Sequence, residues 1–149
     1  MSAVIRHARP GEEAGLLDLY EWLFAPPGRR PPAWDRENAG ARLAAAITGE
    51  HAAVLVAEED GAAIGICTAY IDLESVRFGR RCWVEDLAVD PEHRSLGIGG
   101  RLLDAASGWA RVRGATHIEL DTGLDRADAQ RFYQRRDPAS VGYSYSWVL

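Results

Sequence analysis

Leu87-Ala-Val-Asp-Pro-Glu-His-Arg-Ser-Leu-Gly-Ile-Gly-Gly-Arg-Leu-Leu103 decides how this chain is to be read. A short apolar run, Leu87 to Val89, stops at Asp90-Pro91. After Arg94-Ser95-Leu96-Gly97-Ile98-Gly99-Gly100, the apolar residues Ile98, Leu102, Ala106, Trp109 and Ala110 follow at helical spacing. The order is strand, tight loop, helix start. Glycine lets backbone come close to a ligand. A helix start adds unpaired N–H groups and the positive end of the helix dipole. The loop therefore reads as a seat for phosphate, and Arg94 and Arg101 bracket it as sources of charge-assisted hydrogen bonds. The competing reading is a glycine-rich turn that holds no ligand. Gly97, Gly99 and Gly100 stand too close together for the dinucleotide spacing, and a Walker lysine is impossible because the chain contains no Lys.

The 149 residues suffice for one domain with a real core, so the chain reads as a single domain over 1–149. No apolar run approaches the roughly 20 residues of a membrane span, and the N-terminus lacks the apolar stretch of a signal peptide. Cys67 and Cys82 lie in apolar, strand-like runs and read as buried free thiols. A cytoplasmic location is expected, without a membrane partner. The net charge of −5 argues against a nucleic-acid partner. His7, His51 and His117 show no ligand spacing, so no metal is expected, and His93 just before the loop reads as a bystander. Ser107 lacks the G-x-S-x-G context of a serine hydrolase.

From the N-terminus, Val4-Ile5 opens a strand and Gly11 to Phe24 carries one helical face of Leu16, Leu19, Tyr20 and Leu23. The proline-rich residues 25–33 form a loop. Asp35 is the expected N-cap of a helix from Arg36 to about Thr48. Strands follow at Ala52 to Ala57 and Ala62 to Asp72, joined by the turn Glu59-Asp60-Gly61, and then at Arg81 to Val89. After the glycine loop and its helix, which Gly114 should end, come a strand at His117 to Asp121 and a helix at Asp125 to Arg136. A terminal strand is expected over Val141 to Leu149, where Tyr143, Tyr145, Trp147 and Leu149 alternate. Such an aromatic edge is apt to pair, which makes a homodimer one of the expected partnerships.

Arg94-x-x-Gly97-x-Gly99 after Leu87-x-Val89-x-Pro91, with Phe132-Tyr133 in a later helix, resembles the GNAT N-acetyltransferases. The element order matches that family along essentially the whole chain. The resemblance implies an α/β (α+β) GNAT fold: a mixed, mostly antiparallel sheet of about six to seven strands with about four flanking helices. It implies acetyl-CoA as co-substrate. Arg94, Ser95, Leu96, Gly97, Ile98, Gly99, Gly100 and Arg101 would hold its pyrophosphate. Leu87, Ala88 and Val89 would pair through backbone with its pantetheine arm, and Phe132 would flank it. Residues 25–33, with Trp22, Phe24 and Trp34, would lie over the acceptor pocket; the alternative is that these aromatics are core anchors.

Moving an acetyl group to an amine requires a base for the ammonium proton, an acid for the departing thiolate and an N–H donor at the thioester carbonyl. The family pattern makes Tyr133 the acid. Trp83 to Val89 and Phe132 to Arg136 also resemble the diamine (spermidine/spermine-type) acetyltransferases, which makes Glu85 the base and Asp86 the second choice. Strict strand alternation would send these two carboxylates to opposite faces unless a bulge intervenes. An ion pair with Arg80 or Arg81 is the structural alternative for Glu85.

Three positions depart from the pattern. Ser95 stands where Gly is common, at small cost if its φ is ordinary. Arg126 stands where Asn is frequent. Asp137-Pro138 replaces the usual Gly-Phe, so the last strand's register should differ. Glu85, Asp86, Glu119 and Asp121 on or beside central strands suit a small cationic amine, such as a polyamine or aminoglycoside, as acceptor. The alternatives are a protein α- or ε-amine, or a catalytically silent acyl-CoA-binding module.

Overall fold

The computed structural model describes residues 3–149. Its centre is a five-stranded sheet in the order β1 (Val4–His7), β2 (Ala52–Glu59), β3 (Ala62–Ser75), β4 (Gly79–Val89), β5 (His117–Glu119). The first three pairings are antiparallel and β4–β5 is parallel. The helical elements are α1 (Glu13–Leu17), a 3-10 turn (Asp18–Tyr20), α2 (Glu21–Phe24), α3 (Arg36–Thr48), a second 3-10 turn (Pro91–His93), α4 (Ile98–Val112) and α5 (Ala127–Gln134). α1, the first 3-10 turn and α2 follow one another without a break. With α3, α4 and α5 they make four helical blocks around a mixed sheet, the GNAT fold.

Period-two alternation builds a core on each face of the sheet. Ala53, Leu55, Ala57, Cys67, Ala69, Cys82 and Val84 face α4, whose Ile98, Leu102, Ala106, Trp109 and Ala110 fill that side. Val54, Val56, Ile66 and Ala88 face Leu16, Leu17, Leu19 and Leu43. Gly65 lets α4 lie close on the sheet: a Cβ there would stand 3.0 Å from Leu102 Cδ1 and 3.3 Å from the Ala88 carbonyl.

Local signals held at several boundaries. Asp35 accepts hydrogen bonds from the N–H groups of Glu37 (2.9 Å) and Asn38, capping α3 as its sequence predicts. Asp60 and Gly61, both at positive φ, form a two-residue hairpin between β2 and β3. Cys67 and Cys82 are buried and free. No helix among the described residues is long and apolar enough to cross a membrane.

The expected terminal strand is absent. Residues 138–149 have no strand pairing, and Tyr143, Tyr145 and Trp147 are each more than three-quarters exposed. The sheet has five strands rather than six or seven for that reason. The turn explains the change: Asp137 takes a left-handed φ of 52°, and Pro138 follows with a fixed φ and no N–H. Alternation marked a segment able to be a strand, but alternation cannot specify which edge it joins.

The start of the chain is held by charge. The Arg6 guanidinium donates to both Glu12 oxygens (2.9 and 2.7 Å) and to Glu58 (2.5 Å), tying β1 to the start of α1 and to β2. Bonding to Arg6 lowers the Glu12 carboxyl to about 2, against partial desolvation. A depressed carboxylate stabilises the fold above its unfolded value near 4.3, and that share is lost as pH falls toward 2. Because the pair is partly solvated, Glu12→Gln should cost about 1 kcal/mol at pH 7. The melting points of the two proteins, separated by roughly 2–4 °C at pH 7, should converge as the pH is lowered toward 2.

Candidate active site

The β4 ladder changes character at Glu85. Thr68 of β3 pairs with Asp86, but the next residue, Ala69, pairs with Val84, so Glu85 has no opposite number. This is a β-bulge. It releases the alternation that would have separated Glu85 from Asp86. Toward β5, β4 is paired only at Arg81, Cys82 and Trp83, facing His117, Ile118 and Glu119. Beyond Trp83 the two parallel strands part, leaving that edge of Leu87, Ala88 and Val89 free of a strand partner.

The two carboxylates have different partners. Asp86 accepts from the Thr68 hydroxyl (2.6 Å) and the Tyr20 hydroxyl (2.8 Å), and its own N–H donates to Thr68 Oγ1 (3.1 Å). Burial first, and the adjacent Asp86 second, push the Tyr20 phenol well above its ordinary value, so it stays a donor. Glu85 is exposed and accepts from Trp83 Nε1 at 2.6 Å. Neither Arg80 nor Arg81 pairs with it: Arg80 bonds Glu74, while Arg81 bonds Asp72 (2.9 Å) and Glu119 (3.3 Å).

Beside Glu85 lies an open cavity of about 550 Å³, lined among others by Glu50, His51, Tyr70, Asp72 and Trp83. Trp22, Phe24 and Trp34 do not line it. Phe24 and Trp34 stack edge to face at 4.9 Å, Trp34 lies 5.8 Å from Tyr20, and Trp22 and Trp34 pack against the α1–α3 core. They anchor the segment that carries Tyr20.

On the other face, Phe132 and Tyr133 of α5 pack against the α4 core, with ring centroids 5.1 Å apart. Burial pushes the Tyr133 phenol up to about 12, the nearby Cys67 adds to this, and Arg126 opposes it. Tyr133 is therefore a protonated phenol throughout the neutral range. Arg126 Nη2 donates to the Leu23 carbonyl (3.0 Å), joining the approach to α5 to the end of α2.

The glycine loop ends in the expected helix start. Gly97, at φ 81°, precedes α4, and no side chain caps the helix. The first loop-to-helix backbone bond is Arg101 N–H to the Gly97 carbonyl (3.1 Å), so the N–H groups of Ile98, Gly99 and Gly100 lie ahead of the helical ladder. Glycine is needed for space as well as for φ: a Cβ on Gly99 would meet the Phe132 ring at 3.7 Å, and one on Gly100 the Arg136 guanidinium at 3.0 Å. Those free donors, the dipole of a 15-residue helix and the close glycine backbone fit a pyrophosphate.

Two expectations for the loop change. Arg101 faces elsewhere, since its N–H is in the helix and its guanidinium donates to the Ala3 carbonyl at 2.7 Å. A cation at the loop comes instead from Arg136, which pairs with Asp104 and lies over the Phe132 ring, 5.8 Å from its centroid. The Phe132-to-Arg136 motif contained this residue, but one strand of sequence does not show that α5 lays it against α4. Ser95 has φ 65°, the left-handed region, so its substitution for Gly is not cheap. His93 lies beside Glu59 (2.8 Å) and Asp90 (3.2 Å) at the root of the loop, and its Nδ1 is buried without a hydrogen-bond partner among the described residues. Among the described residues, no group of three or more His, Cys, Asp or Glu is placed to hold a metal ion.

The acetyltransferase (GNAT) family model matches residues 16–137. Two uncharacterized N-acetyltransferases of Bacillus subtilis (strain 168) are similar in sequence. YhdJ is 38% identical over 92 residues, 62% of this chain and 64% of its own length. YhfO is 36% identical over 131 residues, 88% of this chain and 86% of its own. Among solved structures, the aminoglycoside acetyltransferase AAC(6')-Iy, in complex with a CoA-S-monomethyl-acetylneamine bisubstrate analogue, superposes with TM-score 0.84 at 20% identity. That alignment covers 100% of this chain and 99% of the other. Glucosamine-6-phosphate N-acetyltransferase from Arabidopsis thaliana gives 0.78 at 18% identity, with 99% of each chain covered. The chain belongs to the acetyltransferase (GNAT) family and is classed with its enzymes, the N-acetyltransferases.

A left-handed non-glycine residue costs roughly 1–2 kcal/mol, partly offset by the greater freedom of glycine in the unfolded chain. Ser95→Gly should therefore raise the melting midpoint by about 2 °C. A differential scanning calorimetry trace with an unchanged or lower midpoint would show that Ser95 is not strained.

Proposed function

We propose that the protein transfers the acetyl group of acetyl-CoA to a primary amine of a small cationic molecule, by direct attack with both substrates bound. The observation that carries this reading is the parting of β4 and β5 beside the Glu85 bulge, with the Glu85 cavity on one side and Tyr133 on the other. Acetyl-CoA supplies the acetyl group activated as a thioester. The amides ahead of α4, from Leu96 to Gly100, with Arg94 and Arg136 beside them, hold its pyrophosphate. The free backbone edge of Leu87 to Val89 pairs with the pantetheine amides and offers an N–H to the carbonyl oxygen. Phe132 flanks that arm. Tyr133 keeps its proton for the departing sulfur.

Glu85 takes the ammonium proton, directly or through water. Asp86 is the weaker base, because both the Tyr20 and Thr68 hydroxyls already donate to it. Its role is positioning, since it ties the Tyr20–Phe24–Trp34 cluster to the bulge. The acceptor's charge follows from the cavity. Asp72 is matched by Arg81, but among the described residues Glu85 and Glu50 have no cationic partner, and Tyr70 offers aromatic surface to an ammonium, the Trp83 ring already lying under Arg81. A polyamine or an aminoglycoside fits these groups. The reaction needs no metal, nucleic acid or membrane, in keeping with a cytoplasmic enzyme.

Thiol release from acetyl-CoA, measured across polyamines, aminoglycosides and peptide amines, tests the reading. Tyr133→Phe should lower kcat by about 10²-fold or more with KM for acetyl-CoA little changed. Glu85→Gln should lower kcat/KM for the amine, most strongly below neutral pH. A phenol near 12 loses its proton only far into the alkaline range, so no fall in wild-type rate should be traceable to Tyr133 between pH 8 and 10. Full activity in Tyr133→Phe would remove it as the acid. Binding of acetyl-CoA without turnover on any amine would favour a silent acyl-CoA-binding module.

A further inference from the structure

We propose that His93 is a positioning residue for the phosphate-binding loop, and that its imidazolium, clamped between Glu59 and Asp90, tightens the seat for acetyl-CoA. This role presupposes that the loop holds acetyl-CoA, as proposed above. Arg94 to Gly97 run between the 3-10 turn Pro91–His93 and the start of α4. Ser95 and Gly97 both take left-handed φ, 65° and 81°. A non-glycine residue keeps such a φ only where its surroundings enforce it. The loop's own side chains do not supply that constraint, since Arg94, Ser95 and Leu96 are exposed. It comes from the two ends. Downstream stands α4. Upstream stands the 3-10 turn, whose Asp90 N–H donates to the Ile64 carbonyl (2.8 Å) and whose His93 N–H donates to the Asp90 carbonyl (2.8 Å). The His93 ring then carries this root across to Glu59 at the end of β2.

Counting donors shows which form of the ring fits. A neutral imidazole has one donor and one acceptor nitrogen, and an ionised carboxylate only accepts. His93 faces a carboxylate at each nitrogen: Nε2 lies 2.8 Å from Glu59 Oε2, and Nδ1 lies 3.2 Å from Asp90 Oδ2. The other Asp90 oxygen is taken by the Glu92 N–H (2.9 Å), so Oδ2 is the one free for the ring. A neutral ring can serve only one carboxylate. With Nε2 donating to Glu59, Nδ1 is left as the structure shows it, buried and without a partner, and a buried polar atom without a partner is costly. A second proton makes Nδ1 a donor toward Asp90. One ring then ties β2 to the end of β4 through two charge-assisted bonds. Glu59 and Asp90 are the charged groups within ion-pair reach of the ring, and Glu92 and Arg94, its chain neighbours, are exposed. Because the clamp closes one residue before Arg94, it fixes the direction in which the loop sets out toward α4. Histidine is the side chain that changes charge near neutral pH. The clamp is complete in mild acid and loses its Asp90 bond as the pH rises.

Calorimetric titration of acetyl-CoA into the full chain, from about pH 5 to about pH 8, compares the wild type with His93→Gln and Glu59→Gln. His93→Gln cannot take up a second proton. It should bind about three- to tenfold more weakly than the wild type in mild acid, the span that one hydrogen bond carries, and the gap should narrow toward the alkaline end. Glu59→Gln keeps an acceptor for Nε2–H but removes a charge that favours the second proton, so it should shrink the pH dependence. The phosphates of acetyl-CoA titrate in the same range for all three proteins, so the ratio of affinities reports the imidazole. In the thiol-release assay, the rise in KM for His93→Gln should be larger for acetyl-CoA than for acetyl-pantetheine, which carries the thioester arm without the pyrophosphate. A wild type that binds acetyl-CoA with a pH profile parallel to that of His93→Gln would overturn the proposal and leave the acetyl-CoA reading standing. So would an equal rise in the two KM values. A wild type that binds no acetyl-CoA at any pH would overturn both.

Discussion

The pairing of β4 with β5 over three residues, and no more, is the constraint on which the rest depends. A parallel ladder continued past Trp83 would satisfy every backbone group of β4 and close the sheet. Stopping there leaves the N–H and C=O groups that the Leu87–Val89 stretch turns away from β3 in need of a partner from water or a ligand. The bulge at Glu85 lies at the same place, and a bulge raises local twist and turns a strand aside. The consequences fall on both faces. One receives the carboxylate and its cavity. The other receives the glycine loop, the start of α4 and the aromatic pair of α5. In the proposed reaction a thioester and an amine would meet where the sheet is open, so the break in pairing is what would let two otherwise separate faces share one site.

Charge is partitioned in keeping with that division. Several acidic residues have an arginine: Asp72 and Glu119 share Arg81, Glu74 has Arg80, and Asp104 has Arg136. Asp86 is satisfied by two hydroxyls and no cation, which fixes its orientation and anchors the helical segment over the bulge. Among the described residues Glu85 is bonded only to the indole of Trp83, which leaves it acceptor capacity. The phenol of Tyr133 is in the opposite situation, since burial keeps it neutral and a proton donor.

Much of this was legible in the sequence because it is local. The cap at Asp35, the hairpin at Asp60-Gly61 and the helix after Gly97 each rest on a few neighbouring residues whose backbone preferences agree. The residue types at the cleft were legible from the motifs around Glu85 and Tyr133. What was not legible depends on tertiary placement. Arg101 reads as a loop cation, yet its reach is spent on the Ala3 carbonyl, while Arg136, 36 positions past Gly100, comes to lie over that glycine. The left-handed φ of Ser95 follows from the loop's path, which spacing does not encode. The arm after Pro138 shows the same limit: alternation marks it as strand material, and only the three-dimensional course of the chain decides where it pairs.

The decisive measurement is the thermal midpoint with saturating acetyl-CoA, with NAD as a phosphate-bearing control. Ligand at about 100 times its dissociation constant adds roughly 2.7 kcal/mol of apparent stability, which at this size moves the midpoint by roughly 2–4 °C per kcal/mol. A rise of several degrees with acetyl-CoA and none with NAD is the predicted result. No shift at saturation would mean that the loop and the free edge of β4 do not seat the cofactor, and the roles assigned to Tyr133 and Glu85 would fall with it.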